Sequence, residues 1–156
     1  MRLTTMTDFA LRLLMYLAQQ PDRRCTIAEV AQVYDISEAH LMKVTHQLGM
    51  QGFLDTVRGK GGGLRLARPP SEINLGDVVR GMEADFRLAE CFSEDGRCVL
   101  MGACRLQTVL HGALDSFMQH LDGRTLADIL PDGDAFDSAA RTLLQPMRRV
   151  GGASDP

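Results

Sequence analysis

Three of the four cysteines, Cys91, Cys98 and Cys104, fall within fourteen residues of a polar stretch, with spacers of six and five. Thiolates this close together are metal ligands or a redox set. Zinc sites in small domains pair cysteines two to four residues apart, which neither spacer matches. The tightly spaced ferredoxin runs do not match either. A wide triplet on a loop suits a polynuclear cluster, because a cluster spreads its ligand atoms further than a single ion does. Spacing alone leaves the metal open, and zinc binding or disulfide cycling among the same three thiols stays in view.

Three thiolates leave one iron of a four-iron cluster without a protein ligand. Asp8 is one candidate for that place, although Thr5 with Asp8 also reads as a helix capping box. His111, two helical turns beyond Cys104, is another candidate, although the plainer reading is a helix-surface or interface histidine. Gln107 is a poor cluster ligand, and Cys25 stands alone in a turn as an incidental thiol.

The elements that must position these groups follow from periodicity. Met6, Phe9, Leu13, Tyr16 and Leu17 make a helical stripe over residues 5–19. Thr26 and Glu29 form a capping pattern that opens a short helix with Ile27, Val30 and Ala31 inward. Ser37 caps a third helix to about Met50, with Leu41, Val44 and Leu48 facing a core. Gly52 ends it, and Phe53–Val57 and Leu64–Ala67 read as two strands around Arg58-Gly59-Lys60-Gly61-Gly62-Gly63. Asn74 caps a further helix through Val78, Val79 and Met82. A stripe from Ala103 to Leu121 predicts a long helix whose apolar face needs a partner surface, most economically a second copy of the chain. Thr125 caps a stub over Leu126–Leu130, residues 135–144 read as helical, and the end of the chain reads as frayed.

The expected fold is mainly α: a winged helix-turn-helix with a two-stranded wing, plus a long C-terminal dimerisation helix. Its parts are a DNA-binding unit (1–70), a connecting helix (71–84), a cluster-binding loop (85–102), the dimerisation and short helices (103–130) and a weakly structured tail (131–156). The helix after Ser37 is expected in the major groove of double-stranded DNA. Ser37, Glu38, His40 and Lys43 are its candidate contacts. Arg58, Lys60 and Arg65, around a glycine-rich turn that lets the backbone approach closely, are candidates for phosphate or minor-groove contact.

Charge supports that division. Residues 1–70 carry nine Lys/Arg against six Asp/Glu, whereas residues 71–156 carry eight against fourteen. One half is therefore suited to a polyanion and the other is not. The apolar run Phe9–Ala18 is too short to span a bilayer and contains Arg12, so neither a membrane span nor an export signal is expected, and a cytoplasmic location follows. In a reducing cytosol, clustered cysteines are more often ligands or sensors than structural disulfides. No Ser/His/Asp set, paired carboxylates, phosphate-binding motif or second cluster site points to an enzyme or an electron carrier. A protein–protein module on a winged helix is the other rival class.

Several stretches resemble the Rrf-type family of winged-helix iron–sulfur transcriptional regulators, and within it the nitric-oxide-sensing, NsrR-like branch. They are TDFALRLLMYLA (7–18), TIAEVA (26–31), ISEAHLMKVTHQL (36–48), GKGGGLRLARPP (59–70) and INLGDVV (73–79), followed by the cysteine triplet and the long helix. The resemblance implies a homodimeric repressor that binds promoter DNA, with Cys91, Cys98 and Cys104 holding an iron–sulfur cluster. It also implies that an aspartate matching Asp8, from the other subunit, completes the coordination. Branches that control cluster assembly place a histidine where this chain has Gln107, which argues against them. The six-residue spacer is longer than the family's usual one; 4Fe-4S is preferred, with 2Fe-2S as the alternative. The expected function is nitric-oxide-responsive repression, the alternatives being a thiol- or zinc-based regulator or an iron–sulfur regulator of another signal.

Overall fold

The computed structural model describes residues 2–59, 61–93, 98–100 and 103–131. Five α-helices and one hairpin follow in the order α1 (Thr5–Ala18), α2 (Ile27–Tyr34), α3 (Glu38–Met50), β1 (Leu54–Val57), β2 (Gly63–Leu66), α4 (Leu75–Met82) and α5 (Arg105–Asp122). The mainly helical, winged architecture is as the periodicity predicts. Lys60, the segment 135–144 and the tail beyond Pro131 lie outside the described residues.

Each helix of the first half starts where a side chain can satisfy its free amides. Thr26 and Glu29 form a reciprocal capping box on α2, Ser37 caps α3, and Asn74 caps α4. The cap of α1 differs from expectation. Thr4, not Thr5, is the capping residue, and its hydroxyl accepts the Thr7 N–H at 3.3 Å. The group that reaches back to the Thr4 N–H is Glu83, at 2.7 Å from the far end of α4. Asp8 is left outside the cap and pairs instead with Arg12 at 2.9 Å, with half of its side chain exposed.

One apolar core joins α1–α4 and the hairpin. Leu13, Leu14, Val30, Leu41, Val44, Leu48, Ile73 and Val78 are completely or almost completely buried within it. The buried face of α1 is centred on Thr7, Ala10, Leu13, Leu14 and Leu17, with Met6 and Phe9 at its margin. Small residues at 7 and 10 allow close approach of neighbouring elements, which a hydrophobic stripe alone does not register. The core continues beyond Pro69-Pro70 through Ile73, Val78 and Met82, and takes in Leu126 from the 3-10 turn after α5. That turn is anchored by backbone bonds from Leu126 N–H to Ile73 and from Leu75 N–H to Arg124. Cys25 also belongs to this core. It is fully buried, exchanges two backbone hydrogen bonds with Leu64 of the wing, and burial pushes its thiol above the ordinary value.

The hairpin pairs Leu54 with Leu66 and Val57 with Gly63 in antiparallel register. Gly63 has φ near +147°, and a Cβ there would meet the Cys25 carbonyl oxygen at 2.7 Å. Glycine therefore lets the wing seat against the chain before α2.

Candidate DNA-reading cleft and cysteine loop

Between α3, the start of α2 and the wing lies an open cleft of about 790 Å³. On α3 it is lined by Glu38, Met42, His46 and Met50, four residues spaced one turn apart and so on one face. Met42 and Met50 are 55% and 77% exposed, unusual for large apolar side chains. Thr45 lines the same cleft, and its buried hydroxyl has no partner among the described residues. Apolar and polar groups side by side suit a base edge, where a thymine methyl and hydrogen-bonding atoms alternate. Glu38 is the one sequence-predicted helix residue on this lining. Met42, His46 and Met50 follow it at intervals of four, a signal present in the sequence once the orientation of the helix is known.

The other expected contacts divide into engaged and free. Ser37 accepts the His40 N–H at 3.3 Å while its hydroxyl lies 3.0 Å from His40 Nδ1, so these two residues hold the first turn of α3. Lys43 is exposed away from the cleft lining. On the wing, Arg65 is tied to Asp55, directly opposite it, at 2.9 Å. Arg68 donates to the Gly52 carbonyl at 3.0 Å and lies over the Phe53 ring. Arg58 lines the cleft at the hairpin tip and has no ion-pair partner among the described residues.

The cysteine loop begins two residues after Glu83 and is fastened at its far end. Cys91 sits in a short 3-10 turn, Glu90–Phe92, and Cys104 is the residue preceding α5. Gln107, one turn into α5, donates to the Cys91 carbonyl at 3.5 Å. Phe92 stacks on His111 with ring centres 4.2 Å apart and planes within 16°. These contacts bring the Cys91 turn beside the start of α5 and give His111 a packing role. Cys91, Cys98 and Cys104 are all half-buried free thiols, and the Cys104 side chain makes no capping bond. Soft, uncommitted thiols on one loop are the donor chemistry an iron–sulfur cluster takes, and in that respect the residues fit. Among the described residues no three His, Cys, Asp or Glu side chains converge closely enough to hold one metal ion. Nor do the described contacts bring Asp8 to the loop of its own chain.

A reading helix, a basic-tipped wing and a shared core define a winged helix-turn-helix DNA-binding protein. Residues 3–132 match the Rrf2 family, described as iron-dependent transcriptional regulators, and the chain belongs to that family. It is 46% identical over 147 residues to the HTH-type transcriptional regulator NsrR of Shouchella clausii, covering 93% of this chain and 96% of the relative. Against the regulator of the same name from Bacillus subtilis it is 44% identical, covering 83% and 90% of the two chains. Among solved structures, the IscR of T. potens superposes with a TM-score of 0.68 at 25% identity, over 88% of this chain and 90% of that one. The cysteine regulator CymR of B. subtilis has the same fold, with a TM-score of 0.68 at 24% identity, over 83% and 95%. The chain is thus a DNA-binding transcriptional regulator and not an enzyme. No helix among the described residues is long and apolar enough to cross a membrane.

Proposed function

We propose that this regulator represses transcription in the cytoplasm as a homodimer whose grip on promoter DNA is set by an iron–sulfur cluster, 4Fe-4S in preference to 2Fe-2S, and relieved by nitric oxide. Cys91, Cys98 and Cys104 would hold the cluster, with Asp8 of the partner subunit as the fourth ligand. When bound, it supplies iron that nitric oxide can ligate in place of protein donors. The observation that carries this reading is the position of the three uncommitted thiols. They lie between α4, part of the DNA-reading core, and α5, whose Leu106 and Val109 are 61% and 65% exposed.

The residues of the chain divide the work. Glu38, Met42, His46 and Met50 face the bases, and Arg58 with Lys60 meets phosphates, supplying the salt-dependent part of the affinity. Arg65, bound to Asp55, stiffens the hairpin and contributes less charge to DNA than its position in the sequence suggests. The exposed face of α5 pairs with its counterpart, so that two α3 helices enter successive major grooves about one turn apart. Asp8, half-exposed and steadied by Arg12, is free of the capping duty that would otherwise occupy it.

The test is an iron and acid-labile sulfide assay on anaerobically purified protein, paired with promoter binding before and after nitric oxide. Bound iron and sulfide with weaker binding after nitric oxide is the expected result. Zinc or no metal, with full DNA binding throughout, overturns it. Asp8→Ala should retain iron and respond to nitric oxide differently; unchanged spectra and response would remove Asp8 from the ligand set.

A further inference from the structure

The last turn of α4 grips two helices of the reading head at once. The Gly81 carbonyl accepts side-chain amides from Gln47 at 2.7 Å and Gln51 at 2.6 Å, both on the C-terminal half of α3 or its cap. A Cβ on residue 81 would collide with the Gln51 amide, so only glycine lets α3 and α4 close this far without the glutamine moving. Two residues later, one carboxylate oxygen of Glu83 accepts the Thr4 N–H and the Thr7 hydroxyl at the start of α1. Met82, between them, is buried in the core.

Three consecutive residues therefore hold α3 and α1, and the chain passes from them directly into the loop that carries Cys91. Thr7 is fully buried, so withdrawing Glu83 leaves its hydroxyl with the Thr4 hydroxyl, 3.1 Å away, in place of a charged acceptor. The start of α1 is thus constrained to follow Glu83. That start carries Asp8, and its Phe9 ring lies 6.1 Å from His40, which with Ser37 forms the first turn of the reading helix. Loop, α1 and α3 meet at this one joint.

We propose that the Gly81–Glu83 turn is the mechanical link between the cysteine loop and the DNA-reading head, with Glu83 as its positioning residue. This rests on the cluster-controlled function proposed above. Intermediacy in space is not coupling; coupling here is a measurable dependence of DNA affinity on cluster state that passes through Glu83. Glu83→Ala should leave the cluster in place while separating its state from DNA affinity.

The experiment uses the full chain and a DNA fragment selected from a random duplex pool by cluster-loaded protein. Affinity is measured with the cluster loaded and with metal removed, and the ratio of the two is compared among variants. In Glu83→Ala the ratio should shrink at least fivefold while iron, sulfide and the visible spectrum stay as in the parent. Glu83→Gln, whose amide oxygen can accept the same two donors, should keep most of the ratio. Amide exchange in the first turn of α1 should rise about tenfold in metal-free Glu83→Ala. If Glu83→Ala does not fold, Thr7→Val removes one donor at nearly constant size and should lower the ratio about twofold. A parent ratio of one overturns the cluster-controlled reading and this inference with it. A parent ratio well away from one, unchanged in Glu83→Ala or in Thr7→Val, overturns this inference alone.

Discussion

α1 and α5 are both long helices with apolar stripes, yet the molecule treats them differently. The fourteen residues of α1 bury six side chains, among them Leu13 and Leu14. The eighteen residues of α5 bury none. α5 meets the reading head mainly at its end, where Asp122 pairs with Arg80 at 2.6 Å and its carbonyl accepts the Asn74 amide. The head thus closes on itself, while α5 leaves Leu106 and Val109 uncovered and buries Leu110, Leu114, Phe117 and Leu121 only in part. Helices of this length draw their stability mostly from packing rather than propensity, so α5 is the element that a further surface would stabilise most. The function proposed above assigns signal and pairing to the region with surface left to offer, and reading to the region already packed.

The sharpest way to probe that contrast is truncation on either side. Leu13→Ala should cost about 2–5 kcal/mol of folding stability, as large-to-small changes in a packed core do. A denaturant midpoint close to the parent's would show that the head is not the rigid unit described. In the arm, Leu106→Ser with Val109→Ser should shift the head's unfolding by less than about 0.5 kcal/mol. The same pair should weaken self-association tenfold or more, about 1.4 kcal/mol, read by analytical ultracentrifugation. An unchanged dimer would send the exposed face of α5 in search of a different partner.

Smaller effects refine the reading head itself. Arg58→Ala with Lys60→Ala should lower the slope of log affinity against log salt by roughly one for each phosphate no longer neutralised. Arg65→Ala should change it less, because that guanidinium already has Asp55. Equal slopes for the two variants would mean that the Arg65–Asp55 pair opens on DNA. The least effect is expected at the cap of α2. Burial pushes the Glu29 carboxyl up, but the Thr26 N–H and hydroxyl and the Arg23 guanidinium outweigh it and leave the pKa below its ordinary value. A depressed folded pKa means that this stabilisation is present above the unfolded glutamate value of about 4.3 and is lost as pH falls through the folded one. Glu29→Gln should therefore flatten the acid limb of stability against pH modestly, and an unaltered limb would assign that acid sensitivity elsewhere.

Much of the head was legible because its signals are local. Thr26 with Glu29, Ser37, Asn74 and Thr125 each sit within one turn of the amides they satisfy. The periods of α3 and of the hairpin likewise depend only on near neighbours. Reading failed where a partner is distant. Thr5 with Asp8 matched a capping box, but the acceptor at the helix start is Glu83, seventy-nine residues beyond Thr4. Cys25 looked incidental until Leu64 closed over it. Arg65 looked like a free cation until register placed Asp55 opposite.

Sequence alone settled which residue types exist in which order: a capped helical head with a glycine-rich basic turn, three thiols on one stretch, and a later helix with an apolar stripe. Tertiary structure decided which of those groups remain available. It turned Glu38, Met42, His46 and Met50 onto one cleft, engaged Arg65 and Arg68 within the head, and joined α1, α3 and α4 at Gly81 and Glu83. The reason is physical. Helix starts and periodicity are set by interactions within a turn or two, whereas burial and pairing of a side chain depend on segments brought together only when the core forms.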